Sequence, residues 1–136
     1  FLMGPLLEAD EHDRFFVPAT AGAPATLYEH SARALDHSLE LGGHGLPLMG
    51  TGDWNDGMNR VGEAGKGESV WLGWFLHAAL QAFIPLAEAR RETARAAAWR
   101  AHAAALPAAL ERSWDGDWYL RAYFDDGTPC LLYTSD

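Results

Sequence analysis

"GESVWLGWFLHAALQAFIPLAEAR", Gly67 to Arg90, decides the fold. Val70, Trp71, Trp74, Phe75, Ala78, Ala82, Phe83 and Leu86 wrap most of the way round a helix instead of forming one stripe. A helix that is apolar all round belongs inside a larger protein, so Trp71 and Trp74 are expected in the core and not as ligand platforms. Pro85 should kink or end this helix. Downstream, "RRETARAAAWRAHAAALPAALERSW", Arg90 to Trp114, is alanine-rich and strongly helix-favouring, with a break expected near Pro107.

Upstream, "TLYEHSARALDHSLELGG", Thr26 to Gly43, carries the signals of an amphipathic helix of about four turns. Thr26 and Glu29 have capping-box spacing, Tyr28, Ala32, Leu35 and Leu39 repeat at helical intervals, and Gly42-Gly43 supplies a stop. Residues 1–25 mix acids, prolines and glycines ("EADEHDRFFVPATAGAPA") and read as irregular. "DGDWYLRAYFDDGTP", Asp115 to Pro129, alternates aromatic and polar residues between two Asp-Gly pairs, and reads as a short β-hairpin or extended surface segment. The fold class is therefore all-α, with strands nearly absent, and these helices are a few members of a bigger α-assembly.

The bulk numbers bound the function. A chain of 136 residues suffices for one modest domain. A formal charge of −9 argues against binding nucleic acid or an anionic membrane surface through a basic patch. No apolar run approaches the roughly 20 residues that span a bilayer, so no membrane contact is expected of this segment. The chain opens on Phe1, which suggests an internal piece of something longer. The single cysteine, Cys130, excludes an internal disulfide framework and suits a reducing compartment, the cytoplasm. However, "CLLYTSD", Cys130 to Asp136, breaks character after "DDGTP" and resembles the translated end of a transposon-type sequencing adapter. Residues 130–136 are accordingly set aside from functional reasoning as a non-native tail.

Between the first two helices, His44 to Gly67 holds glycine every few residues and no period of 2 or 3.6. Loops this long inside a compact domain tend to be functional. Its centre is "GTGDWNDGMNR", Gly50 to Arg60, with Asp53, Trp54, Asn55 and Asp56 in a row. Calcium fails on register: counting an EF-hand loop from Asp53 puts Gly57, Met58 and Ala64 where a ligand, the glycine and the Glu should be. A plain turn is open, since Asp and Asn bond neighbouring backbone groups and glycine tolerates positive φ. A sugar site is open too: an indole stacks on a pyranose face, Asp and Asn bond hydroxyls, and glycosidic cleavage needs a carboxylic acid to protonate the leaving oxygen. Asp53 and Asp56 are too close in sequence to be assumed an acid/base pair flanking one bond. His30, His37, His77 and His102 lack HxxxH or HExxH spacing, so no metal is expected. His44 is either a pocket residue or a loop hydrogen-bonder. Arg60, Glu63, Lys66 and Glu68 could line a cleft, while Glu68 and Ser69 equally suit a helix N-terminus.

"GLPLMGTGDWNDGMNRVGEAGKGESVWLGWF" resembles the catalytic-loop region of glycoside hydrolase family 94, in particular the phosphorylase-like C-terminal region of cyclic β-1,2-glucan synthases. "LYEHSARALDHSLELGGHGLPLMG" and "WDGDWYLRAYFDDGTP" extend the likeness across residues 1–129, and "GDWNDGMN" followed by "GKGESV" is its specific combination. The resemblance implies a partial (α/α)6-barrel catalytic domain that cleaves a β-linked glucooligosaccharide with inorganic phosphate. It implies inversion to an α-sugar 1-phosphate, with phosphate as co-substrate and no cofactor. In the family's DWND motif the second Asp is the general acid, so Asp56 is expected as proton donor and Trp54 as a sugar contact, with Asp53 and Asn55 positioning substrate or shaping the loop. Phosphate is itself an anionic nucleophile, so one acid suffices. Neighbouring Asp53, the indole and the incoming dianion would all raise the pKa of Asp56. Two rivals remain: a non-catalytic helical module that binds glycan, and an inverting hydrolase of a related (α/α)6 barrel. Since the family's phosphate-binding residues lie downstream, the rest of the parent chain is an expected partner and the isolated piece is expected to be inactive.

Overall fold

The computed structural model describes residues 3–7, 20–52 and 56–130, of which 3–7, 20–23 and 56 are described through the backbone alone. The chain divides into two units, Phe1–Asp36 and His37–Asp136. In the first, β1 (Met3–Leu7) and β2 (Thr20–Thr26) pair antiparallel, with Pro5 opposite Pro24 and a register shift between Pro5 and Leu7. A two-stranded ladder has two outer edges, so prolines that cannot donate to it are tolerated. The irregular reading of residues 1–25 is thereby corrected over these strands, and residues 8–19 lie outside the described ones.

β2 runs directly into α1 (Leu27–His37), where Thr26 Oγ1 accepts the Glu29 N–H at 3.2 Å, half of the expected capping box. Ala32 and Leu35 are its buried residues. The helix has 11 residues, about three turns instead of four. It stops at His37, before the β-bridge of Leu41 with Pro47, beside which the Gly42 N–H bonds Leu46 O.

The second unit is built on α2 (Val70–Ala89) and α3 (Thr93–Glu111), two helices expected from sequence. Phe83 meets Trp99 edge-on at 6.4 Å while Gly73 lies against Leu110, so the helices run antiparallel. Their seam comprises Val70, Gly73, Leu76, Leu80, Ile84 and Ala87 facing Ala96, Trp99, Ala103, Leu106, Ala109 and Leu110. A Cβ on Gly73 would come within 2.9 Å of Leu110 and 3.1 Å of Leu46, so glycine there admits both leucines. The connection is a Schellman-type turn: Arg91 N–H reaches Glu88 O, Glu92 N–H reaches Ala87 O, and Arg91 takes φ 63° where glycine is usual. Ion pairs of Glu92 with Arg90 and Arg95, and of Glu88 with Arg100, surround it.

Three expectations are corrected by this hairpin. Neither Pro85 nor Pro107 ends its helix. Both prolines are exposed, and the roughly 3 kcal/mol an interior proline costs is offset by burial of Ile84, Leu106 and Leu110, about 1.5–3 kcal/mol each. Trp71 and Trp74 are 37% and 42% exposed, with Phe75 and Leu86 more so, because α3 covers only one stripe of a helix that is apolar on several sides. Finally, α2, at 20 residues, is long and apolar enough by length and composition to cross a membrane, which the sequence reading denied of any run here.

Two substitutions test this hairpin by chemical denaturation. Trp99→Ala, at a fully buried position, should cost about 3–5 kcal/mol. Arg91→Gly should be neutral to stabilising by up to about 1 kcal/mol, and Arg91→Val destabilising, since a left-handed residue suits glycine and excludes β-branching.

Candidate functional site

The hairpin expected in residues 115–129 forms as β4 (Ala122–Tyr123) and β5 (Pro129–Cys130), but it acquires a third strand from the end of the long loop. That strand is β3 (Glu68–Ser69), which pairs with β4 and is bridged on its other side by Leu48. Met49 N–H bonds Gly67 O, and Ser69 N–H bonds Pro47 O, each at 3.0 Å, closing the two ends of the loop on each other. Ser69 also serves as the expected N-cap of α2, its Oγ accepting the Leu72 N–H at 3.1 Å.

Glu68 is the hub. Its side chain is buried, and its carboxylate accepts the His44 N–H at 3.0 and 3.1 Å, the Leu46 N–H at 3.0 Å and His44 Nδ1 at 2.6 Å. A buried carboxylate must be saturated with donors, and these come from one turn, His44 to Leu46. Gly42 belongs to the same arrangement: a Cβ there would fall 2.4 Å from Glu68 Cγ and Cδ. Its task is to admit the glutamate and not to stop a helix. The His44 ring stacks on Tyr123, centroids 3.7 Å apart and planes 9° off parallel, and Tyr123 Oη donates to Ser113 Oγ. His44 is thus fixed at one ring nitrogen and on one face.

Asp125 performs a similar role for residues 61–67. Its carboxylate accepts the N–H groups of Ala64, Lys66 and Gly67 at 2.8, 2.8 and 2.9 Å, and its own N–H bonds Val61 O. The backbone N–H groups of Ala64 and Lys66 hold its carboxyl below the ordinary value of 3.8. Glycine recurs here because backbones touch: a Cβ on Gly62 would lie 2.6 Å from Gly50 O, and one on Gly67 would lie 2.5 Å from Gly62 Cα.

The residues on either side of the acidic motif are held on this base. Met49, Met58 and Val61 pack with Ala122 and Cys130 in a small apolar cluster, so the loop is pinned just before Gly50 and just after Gly57. Gly50 takes φ 56°, Gly52 N–H bonds Met49 O, and a short 3-10 turn covers Asp56–Met58. Asp53, Trp54 and Asn55 lie outside the described residues, and Asp56 is placed by its backbone at the start of that turn. Cys130, assigned to the tail by sequence, is the last residue of β5, and 131–136 lie outside the described residues.

Of the other residues singled out in the sequence, Arg60 and Glu63 are exposed, while Lys66 borders a cleft of ≈ 590 Å³ together with His44 and Glu68. Among the described residues no three His, Cys, Asp or Glu side chains gather as a metal would require. The His44–Glu68 pair spans 24 positions, and no spacing rule could have found it. Asp125 was missed as an anchor because an Asp-Asp-Gly run signals only a turn.

Two results should follow. Glu68→Gln replaces an acceptor oxygen by an NH2 facing N–H donors and should cost about 1–3 kcal/mol in denaturation. For Asp125, a folded pKa below the unfolded one means its anchoring is present above pH 3.8 and lost as pH falls through the lower folded value. Amide exchange at Ala64, Lys66 and Gly67 should therefore stay slow down to that range and accelerate below it, and Asp125→Ala should speed it at neutral pH.

The sequence matches the family described as the glycosyl hydrolase 94 superfamily, catalytic domain, over residues 6–131. It is 56% identical over 131 residues to a cyclic β-(1,2)-glucan synthase, NdvB, of Rhizobium meliloti (strain 1021), covering 95% of this chain and 5% of that protein. It is 46% identical over 107 residues to a 3-O-β-D-glucopyranosyl-β-D-glucuronide phosphorylase of Paenibacillus borealis, covering 77% of this chain and 14% of the relative. With an N,N′-diacetylchitobiose phosphorylase of Vibrio furnissii it shares 36% identity over 115 residues, covering 82% of this chain and 14% of the relative. The chain thus spans a small part of the length of the curated relatives it matches.

Proposed function

The chain belongs to the glycosyl hydrolase 94 superfamily, and on that premise we propose that it is a piece of an inverting β-glucoside phosphorylase domain within a cyclic β-1,2-glucan synthase-like protein. The observation that carries this reading is the family match across residues 6–131, which includes the whole of "GDWNDGMN". The geometry supports it in one respect: the loop bearing that motif is pinned at Met49 and at Met58, which suits a catalytic tip that must be held in place.

In this mechanism Asp56 gives its proton to the glycosidic oxygen as the bond to the anomeric carbon breaks. Phosphate attacks that carbon from the opposite face, so the configuration inverts and α-glucose 1-phosphate leaves beside the shortened glucan. Trp54 stacks on the sugar, while Asp53 and Asn55 bond its hydroxyls and hold the loop. Phosphate is a co-substrate and no cofactor takes part. The reaction belongs in the cytoplasm, where phosphate is available, with the parent attached to the inner membrane or free.

The proposal extends to architecture. The α2–α3 hairpin is one helical pair of an (α/α)6 barrel, and residues 1–129 are part of that domain. The face of α2 bearing Trp71, Trp74 and Phe75 is exposed here and fits burial against the next pair. On this reading α2 is buried in the barrel and does not cross a bilayer.

The test uses the complete parent protein with a β-linked glucooligosaccharide and phosphate. α-Glucose 1-phosphate is the expected product, and Asp56→Asn should lower kcat by about 10²–10⁴-fold. Phosphate-independent release of free glucose would make it a hydrolase, and glycan binding without turnover would make it a binding module. The isolated 136-residue chain should show no phosphorolysis.

A further inference from the structure

We propose that the cleft between the Gly42–His44 turn and the Phe124–Gly127 turn is a binding subsite for a neutral sugar ring, with His44 Nε2 bonding a hydroxyl and Phe124 supplying the stacking face. The cleft measures ≈ 590 Å³, room for a monosaccharide unit and its neighbour. Its chemistry is that of a polyol site. Glu68 holds His44 Nδ1 at 2.6 Å and Tyr123 holds the ring face, so the imidazole is fixed before any ligand arrives. Because the carboxylate takes Nδ1–H, Nε2 is left to exchange bonds with a hydroxyl, and it makes no hydrogen bond among the described residues. A carboxylate behind a histidine fixes tautomer and orientation in the same way at many ligand sites.

The opposite wall contributes the other contacts. Phe124 lines the cleft and is 38% exposed, so its ring is accessible to a pyranose C–H face. Asp126 Oδ1 is occupied by Thr128 N–H and Oγ1–H, which leaves Oδ2 to accept from a sugar hydroxyl. Gly127 is required by its backbone, at φ 82°, and brings the turn alongside the His44 ring. The sign of the charge selects the ligand. Glu68, Asp125 and Asp126 face a single Lys66, a balance that disfavours phosphate and accepts a neutral glycan.

The choice of ligand class rests on the proposed phosphorylase reading, but binding is tested separately from turnover. In the complete parent protein, calorimetric titration with a β-1,2-linked glucotetraose should show dissociation constants about 5- to 10-fold higher for Phe124→Ala and for His44→Gln than for the wild type. Asp126→Asn, which retains Oδ1 for Thr128, provides a further variant that keeps the turn folded, and it should weaken binding in the same direction. Each variant's thermal midpoint is measured alongside. Unchanged affinity in all three variants overturns the subsite, whether or not the parent makes α-glucose 1-phosphate. A Lys66→Ala change that weakens binding of inorganic phosphate while the tetraose still binds normally to the Phe124 variant also overturns it, in favour of an anion site. Phe124-dependent tetraose binding in a parent that performs no phosphorolysis upholds the subsite while the proposed function falls.

Discussion

One buried carboxylate organises the loop of the second unit of this chain. Removing Glu68 from water is unfavourable unless its lone pairs meet donors, and the donors that satisfy it belong to the His44–Leu46 turn, 22 to 24 residues earlier. That requirement brings the two ends of a long, glycine-rich loop together and sets β3 against β4. Gly42 must lack a side chain for the carboxylate to enter, and Leu46 then fills the space above Gly73 on α2. Asp125 repeats the device at the surface, gathering three N–H groups of the 64–67 turn. Loop order in this protein thus comes from carboxylates that collect backbone donors, with a small Met49–Met58–Val61 cluster beneath.

This arrangement explains how the two ends of a polar, glycine-rich segment are held in place. The stretch Asp53 to Asp56 lies between two residues that are fixed in the apolar cluster. Met49 and Met58 are those residues, one on each side of the motif. The superfamily to which the chain belongs gives that motif its proposed meaning; the platform gives it a physical basis for precision.

How much of this was legible in the sequence depended on the range of each signal. Local signals were read well: the Thr26 cap, the Ser69 cap, the α2 and α3 segments and the 115–129 hairpin all rest on residues within a few positions of one another. Local rules also misled where packing overrode them. Pro85 and Pro107 sit within continuous helices because neighbouring Ile84, Leu106 and Leu110 are buried, and Gly42, a helix stop by local rules, is required by a glutamate 26 positions later. Pro5 and Pro24 concealed a ladder by lying across from each other. Nothing local could reveal the His44–Glu68 pair, since it exists only after the loop has closed. The candidate acid and its three neighbours were identified by motif alone, and their side chains lie outside the described residues.

The central claim is that this platform presents Asp56 to a glycosidic oxygen. A crystal structure of the complete parent domain, bound to a β-linked glucooligosaccharide and phosphate, tests it most directly. The account predicts the Asp56 carboxyl within hydrogen-bond reach of the scissile oxygen, Trp54 against the sugar, and Glu68 still holding His44 and Leu46. A different carboxyl group at that oxygen, with Asp56 turned away from the substrate, would contradict it.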